Sequence, residues 1–96
     1  MISYTFSGLL WQHSAPGGWH FVSIPPDMAS EIRMLLQNDE QGWGRLPVTA
    51  YLMTQEWKTA IWYDTKFKTY LLPIKSAIRM KANLQVGATV EIRIRL

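Results

Sequence analysis

Residues 69–80 read TYLLPIKSAIRM, and this stretch sets the pattern from which the rest of the fold is predicted. It completes a predicted strand from Phe67 to Leu72, which Pro73 terminates because proline cannot donate to a strand ladder. Apolar residues then recur at helical spacing between Ile74 and Lys81. The stretch therefore predicts a strand, a proline and a short helix in direct succession.

The segments on either side of this stretch complete a unit of four elements. Upstream, Trp57 to Tyr63 is predicted as a strand, and Asp64-Thr65-Lys66 as the hairpin turn that leads into the next strand. Downstream, Gly87-Ala88 predicts a turn into a last strand from Thr89 to Leu96. This last strand alternates between apolar and polar residues, which is typical of a strand with one buried and one solvated face.

The first half of the chain shows the same order of elements. Pro25-Pro26-Asp27 precedes a predicted helix of about ten residues. A loop from Gln12 to Gly18 separates the first two strands, and a polar segment from Asn38 to Gly44 follows the helix. The predicted strands of this half are Ile2 to Trp11, Trp19 to Ile24 and Leu46 to Met53.

The two halves also share a local signature. FVSIP at residues 21–25 leads to IRM at 32–34, as TYLLP at 69–73 leads to IRM at 78–80. Matching strand-to-proline junctions followed by the same tripeptide indicate an internal duplication. We expect residues 1–96 to form one mainly β domain with two short helices. The predicted architecture is a closed barrel with pseudo-twofold symmetry, built from two ββαβ halves, about residues 1–53 and 54–96. Because one chain supplies both halves, we expect a monomer.

Composition excludes disordered chains and every chemistry that needs cysteine. Hydrophobic residues make up 48% of the 96 residues and charged residues only 18%, which is too apolar for a disordered chain. The absence of cysteine excludes disulfides, cysteine zinc ligands and thiol nucleophiles. The first 26 residues carry no charged side chain, but Pro16 and Gly17-Gly18 interrupt them too early for a signal peptide or a membrane span. We therefore expect a cytoplasmic protein with no membrane partner.

Charge is distributed unevenly along the chain. The formal net charge is +3, with −2 in residues 1–50 and +5 in residues 51–96. A basic half is a hint of an anionic partner, although the same excess is an ordinary way of keeping a small domain soluble. The partner is left open between a nucleic acid and another protein.

The remaining polar residues predict no catalytic, metal or cofactor site. His13 and His20 do not lie at the spacing of any metal-binding motif. Gly42-Trp43-Gly44 lacks the third glycine and the preceding strand of a phosphate-binding loop, and no serine lies in a nucleophile elbow. We therefore expect a protein that is not an enzyme.

The five tryptophans permit two interpretations, as stacking platforms for a ligand or as large core side chains. Four of them lie in predicted strands, where a small barrel needs bulky residues to fill its interior. Those four, which we expect to pack in the core, are Trp11, Trp19, Trp57 and Trp62. Trp43 lies in a loop, and we expect it to cap one barrel end or to line a cleft.

Three motifs together span almost the whole chain: GWHFVSIP at 18–25, GWGRLPV at 42–48, and WKT at 57–59 followed by YLLPIK at 70–75 and IR at 78–79. With these motifs the chain resembles a bacterial family known as domain of unknown function 1905. The resemblance implies a double-split β-barrel. Each half would be similar to the swapped-hairpin protomer of AbrB-like and MazE-like DNA-binding proteins, although Ala88 stands where those regulators usually have an acidic residue.

The resemblance and the composition together leave two function classes open. The first is an uncharacterised, non-enzymatic binding or accessory module. The alternative is a weak nucleic-acid-binding module of the AbrB-like kind, whose basic contacts would lie on the second-half hairpin. The candidate contacts are Lys58, Lys66 and Lys68, followed by Arg93 and Arg95 on the solvent face of the last strand.

Overall fold

The computed structural model describes residues 2–14 and 18–96, except for the side chain of Trp43. Over these ranges the chain forms six strands and two α-helices, with two short 3-10 turns between the first helix and the third strand. In chain order they are β1 (Ser3–Gln12), β2 (His20–Ser23), α1 (Pro26–Leu36), the turns Gln37–Asp39 and Gly42–Gly44, β3 (Arg45–Leu52), β4 (Gln55–Asp64), β5 (Thr69–Pro73), α2 (Ser76–Lys81) and β6 (Thr89–Arg95).

The six strands form a closed barrel in the order β1-β2-β5-β4-β3-β6, and each neighbouring pair is antiparallel. The prediction of a mainly β barrel with two short helices is thereby confirmed. Two predicted strand starts were wrong by two residues: β4 begins at Gln55 and not at Trp57, and β5 begins at Thr69 and not at Phe67. The hairpin turn is longer than predicted: the Lys66 N–H donates to Asp64 Oδ1 over 3.0 Å, and Lys68 has a φ of 55°.

The strand order has an internal regularity. Exchanging β1 with β4, β2 with β5 and β3 with β6 leaves every pair of neighbouring strands in the barrel unchanged. Two of the six pairings, β2 with β5 and β3 with β6, join a strand to its own counterpart. The two ββαβ segments therefore interleave within a single sheet, and neither closes a barrel on its own.

Alternate residues of the strands fill the barrel interior. On β6, Val90, Ile92 and Ile94 are buried, as the alternation of this strand predicts. Phe6, Trp57 and Tyr70 are the aromatic contributions to the core among the described residues. The rest of this interior is aliphatic, so hydrophobic burial stabilises the fold without any buried unpaired polar side-chain atom in the described ranges.

Of the four tryptophans predicted to pack in the core, only Trp57 does so. Trp19 lies just before β2 and is 63% exposed. Trp11 and Trp62 are half-buried on the outer face. Side chains alternate between the two faces of a strand, and on these two strands the neighbouring positions are the ones that face inward. The indole N–H of Trp11 donates to Ser23 Oγ over 2.9 Å, which holds this ring against β2.

Helix α1 packs on the barrel through its apolar stripe. Pro26 lies at its first position and Asp27 in its first turn, both favourable at a helix N-terminus. Ala29 and Ile32 are buried in the core. The Tyr4 hydroxyl of β1 donates to Glu31 Oε1 over 2.8 Å and fixes the helix laterally. Neither this helix nor α2 has the length and apolar character that crossing a membrane requires.

Candidate functional site: a cation-lined track on the barrel surface

A groove of about 420 Å³ lies where β2 begins and β5 ends, beside the first turn of α2. We call it the β2–α2 groove. Its position follows from Pro73, which ends β5 and turns the chain into α2. The residues that line it are Gln12, Gly18, Trp19, His20, Pro73, Ile74, Lys75, Ser76 and Arg79.

A second groove, of about 390 Å³, crosses the outer face of β3 and β4. We call it the β3–β4 groove. Its floor is the solvent face of two long paired strands, on which Arg45 lies opposite Trp62 and Pro47 opposite Ala60. The described residues that line it are Trp19, Arg45, Pro47, Lys58, Thr59, Ala60, Trp62 and Pro73.

A third groove, also of about 390 Å³, extends from β3 and β4 to β6. We call it the β6 groove. Both Lys58 and Arg95 lie opposite Thr49, one on each side of β3, so the register places the two cations in one row across three strands. The residues that line this groove are Pro47, Val48, Thr49, Lys58, Thr59, Arg95 and Leu96.

These three grooves share residues and so form one continuous surface, which we call the cationic track. Trp19 and Pro73 belong to both the first and the second groove, and Lys58 belongs to both the second and the third. No aspartate or glutamate occurs among the described residues that line the track. Its five basic residues are Lys75 and Arg79 in the β2–α2 groove, Arg45 in the β3–β4 groove, Lys58 in both that groove and the β6 groove, and Arg95 in the β6 groove.

Two of these arginines are held by hydrogen bonds. Arg79 Nη1 donates to the Ile74 carbonyl oxygen over 2.7 Å, and Arg45 Nη2 donates to Gln41 Oε1 over 2.9 Å. The Arg45 guanidinium also lies 5.9 Å from the centre of the Trp62 ring. Since neither guanidinium has a carboxylate partner in these contacts, both keep their positive charge available to an anion on the track.

His20 contributes a neutral imidazole to the β2–α2 groove. Burial, and secondarily the nearby Arg79 guanidinium, lower the pKa of His20 below its ordinary value. The imidazole is therefore uncharged at neutral pH, and the positive charge of the groove comes from Lys75 and Arg79. Among the described residues, no group of three or more histidines, aspartates and glutamates is placed to hold a metal ion.

The structure separates the basic residues that the sequence suggested as one contact set. Lys58 faces outward from the middle of β4 and lines the track, whereas Lys66 and Lys68 lie in the turn after this strand. Asp64, at the end of the strand, is six residue steps of extended chain beyond Lys58, or about 20 Å. The Lys66 ammonium lies 5.6 Å from the Phe67 ring centre, and neither turn lysine is among the lining residues of the three grooves.

The other two suggested cations both lie near the Tyr51 ring, with the guanidinium carbon of Arg93 at 4.1 Å and that of Arg95 at 5.7 Å from its centre. Arg95 also lines the β6 groove, whereas Arg93 does not. Tyr51 is also opposite Glu56 across β3 and β4, so Arg93 lies next to a row that contains a carboxylate. The side chain of Trp43 is outside the described part of the structure, and its predicted place in a cleft or at a barrel end stays a prediction.

The sequence-based reasoning missed Lys75, Arg79, Arg45 and the surface position of Trp19. Lys75 and Arg79 follow the Pro73 junction that the repeat had identified, so the motif contained them without indicating their role. These residues share one surface with Lys58 and Arg95 because strands that are distant along the chain lie side by side in the barrel. This shared surface could be recognised only once the strand order of the barrel was known.

The sequence-based reasoning also missed a polar cluster at the C-terminal end of helix α1. Arg33 Nη1 lies 3.3 Å from Glu40 Oε2, and its guanidinium carbon is 3.7 Å from the centre of the Tyr63 ring. The Tyr70 hydroxyl donates to the same glutamate oxygen, and the Tyr63 and Tyr70 rings meet edge to face at 5.1 Å. Every charged group here has a partner within the protein, so this cluster serves to hold the segment after α1 on the barrel.

Comparison with known proteins gives one family. The sequence model of the family described as Domain of unknown function (DUF1905) matches residues 6–94. No curated protein shows significant similarity to the chain.

Proposed function

We propose that this chain, which belongs to the family Domain of unknown function (DUF1905), is a non-enzymatic binding module that holds an anionic ligand along the cationic track. One observation carries the proposal. The chain has 10 basic and 7 acidic residues, and five of the basic residues line the track while none of the acidic residues is among its described lining. Such segregation concentrates positive potential along one surface.

Among the described residues, no acidic side chain forms an ion pair with a cation of the track. Glu40 is paired with Arg33, and Glu31 accepts the Tyr4 hydroxyl. Glu56 lies on the outward face of β4 two residues from Lys58, so it borders the β6 groove without being among its lining residues. Clustered cations without ion-pair partners repel one another, and an anionic ligand removes that repulsion when it binds.

The non-enzymatic part of the proposal is supported by the side chains of the track. His20 is the one imidazole among the described lining residues, and no carboxylate there orients it as a general base. The other lining side chains are cations, tryptophans, small hydroxyls, an amide and aliphatic groups, which suit recognition better than bond cleavage.

We further propose that the barrel arose by internal duplication and is a double-split barrel related to the AbrB-like and MazE-like folds. The unchanged strand order under exchange of halves supports this, as do the matching junctions at Pro25 and Pro73. The two arginines of the repeated tripeptide have diverged. Arg33 is neutralised by Glu40, whereas Arg79 opens onto the track. A monomeric, cytoplasmic protein is part of the same proposal.

The alternative is weak nucleic-acid binding by the second-half hairpin through Lys58, Lys66 and Lys68. It shares Lys58 with the track, but requires the turn lysines instead of Lys75 and Arg79. The two contact sets therefore differ in residues that can be replaced separately.

The experiment measures binding of a short inorganic polyphosphate by titration calorimetry at low salt. A track variant (K58Q/K75Q/R95Q) and a matched control (K66Q/K68Q/K81Q) each remove three exposed positive charges and leave the same net charge. We expect the track variant to lose binding and the control to retain it. Equal losses would show that only net charge matters, and a loss confined to the control would favour the hairpin. Absence of polyphosphate binding by the parent protein would overturn the proposal.

A further inference from the structure

We infer that the anionic ligand of the track is a single-stranded nucleic acid whose bases stack on Trp19 and Trp62. The inference rests on the proposed function and adds the class of ligand. It depends on the two indole rings that lie in the same groove, between basic residues on either side.

Trp19 is an exposed aromatic platform. Trp19 is 63% exposed, although a side chain as large as tryptophan is normally mostly buried in a folded domain. Its ring lies nearly parallel to that of Phe21, at 19° with 6.3 Å between ring centres. The backbone is also held, because the His13 N–H donates to the Trp19 carbonyl oxygen over 2.9 Å. The platform is therefore positioned before any ligand binds.

Trp62 provides a second ring on the floor of the β3–β4 groove. It faces outward from β4 because Trp57 and Ile61 occupy the inward positions of this strand. Arg45 lies across from it in the register, with its guanidinium 5.9 Å from the ring centre. Arginine beside a half-buried, outward-facing indole suits a nucleotide, since the cation binds the phosphate while the ring stacks on the base.

The order of groups along the track matches the chemistry of an extended strand. Arg79 and Lys75 lie at one end, the two tryptophans and Arg45 in the middle, and Lys58 and Arg95 at the other end. A single strand presents a phosphate and an unpaired base at each step, so it can use cations and rings together.

Two other polyanions use the track less completely. In a duplex the bases are stacked on one another, so Trp19 and Trp62 would have no partner. An acidic peptide offers carboxylates to the cations but nothing flat to the rings. The combination of rings and cations therefore favours a single strand over both, and each of the other two becomes an outcome of the test.

The test compares four fluorescent probes by anisotropy: an oligothymidylate, a duplex of the same length, a short polyphosphate and an oligoglutamate. We expect the oligothymidylate to bind most tightly, with a slope of log affinity against log salt of roughly −3 to −4 for five phosphate contacts. Trp19→Ala should weaken oligothymidylate binding about tenfold, the loss expected for one stacked base, and leave polyphosphate binding within about twofold.

Phe67→Ala is the matched control, because Phe67 is also a largely exposed ring, at 59%, and does not line the three grooves. Trp19→Phe should restore most of the affinity, since it returns a ring to the site. Thermal unfolding of each variant establishes that it is folded.

The outcomes separate this inference from the proposed function. If polyphosphate binds and oligothymidylate binds no more tightly, or if Trp19→Ala weakens both equally, the stacking inference is wrong and the anion-binding proposal stands. Tighter binding of the duplex or of oligoglutamate overturns the inference in favour of those partners. If none of the four probes binds, both are wrong.

Discussion

The Tyr70 hydroxyl donates a hydrogen bond to the Glu40 carboxylate and so joins strand β5 to the segment that follows helix α1. Arg33 approaches the same carboxylate oxygen at 3.3 Å. Because Tyr70 is fully buried, its hydroxyl has no water to replace this acceptor if the acceptor is lost.

Tyr70→Phe should lower the free energy of unfolding by about 1.5 to 3 kcal/mol, the usual contribution of a hydrogen bond to a charged group. Urea denaturation measures the change. Tyr51→Phe is the control: Tyr51 lies on the outer face, and a change within about 0.5 kcal/mol is expected there. Equal effects in the two variants would show that the bond to Glu40 is not stabilising.

Stability should decrease at alkaline pH as two tyrosines ionise. Burial, then the hydrogen bond to Glu31, raises the pKa of Tyr4 to about 12. Burial, then the hydrogen bond to Glu40, raises the pKa of Tyr70. In the unfolded chain both pKa values return to about 10. The stability that the two neutral hydroxyls contribute is therefore fully present below about pH 10, and it is lost as the pH rises through their pKa values in the folded protein. Urea midpoints across this range should fall less steeply for a Tyr4→Phe/Tyr70→Phe variant than for the parent protein.

Gly87→Val should destabilise the protein by about 1 to 3 kcal/mol, because Gly87 has a positive φ that a β-branched residue adopts only under strain. Its φ is 94°, and its N–H donates to the Leu10 carbonyl oxygen over 2.8 Å. No atom crowds the position of the missing Cβ, so the cost is conformational. Gly42→Ala is the control, since Gly42 also has open space but no positive φ. Thermal unfolding compares them, and a neutral Gly87→Val would contradict the strain argument.

Trp57→Ala should cost about 3 to 5 kcal/mol, since it empties a large site in the barrel interior. Trp57 is 8% exposed, whereas Trp19 is 63% exposed. Trp19→Ala is therefore expected to change the free energy of unfolding by less than about 1 kcal/mol. Denaturant unfolding of both variants measures the difference, and similar losses would mean that burial does not decide the contribution of these tryptophans.

The protein should sediment as a species of about 11 kDa at micromolar concentrations, because β1 to β6 close the barrel within one chain. A closed barrel leaves no unpaired strand edge for a second copy. A stable dimer in sedimentation velocity experiments would contradict this prediction.

The elements of this fold could be predicted because their signals are local. The alternation at Val90, Ile92 and Ile94 determines the buried face of β6, and Pro73 determines where β5 ends. Gly87 was predicted in a tight turn for the same local reason, and its φ of 94° agrees. Each of these features depends only on a few residues that are adjacent in the sequence, so the sequence alone is enough to predict it.

The track and the positions of the tryptophans could not be predicted in this way. On β4, Ala60 and Trp62 are apolar, as are Trp57 and Ile61, so the pattern does not say which set faces inward. Only pairing with β3 and β5 decides it. Likewise, Lys58 and Lys66 were grouped because both belong to the second-half hairpin to which the AbrB-like resemblance points. In the structure, however, Lys58 shares its groove with Arg95, on a strand much later in the chain.

The pairings of β2 with β5 and of β3 with β6 have a consequence for how the chain folds. A separate first half would expose a free edge on each of its strands, since β1 would lose β6, β2 would lose β5, and β3 would lose both β4 and β6. A separate second half would likewise expose free edges on β4, β5 and β6. Open edges of this kind recruit other strands and promote aggregation. The barrel must therefore form its longest-range contacts before either half is protected, which predicts slow, all-or-none folding without a stable half-folded intermediate. Fragments divided between β3 and β4 should be unfolded alone and regain structure only when mixed.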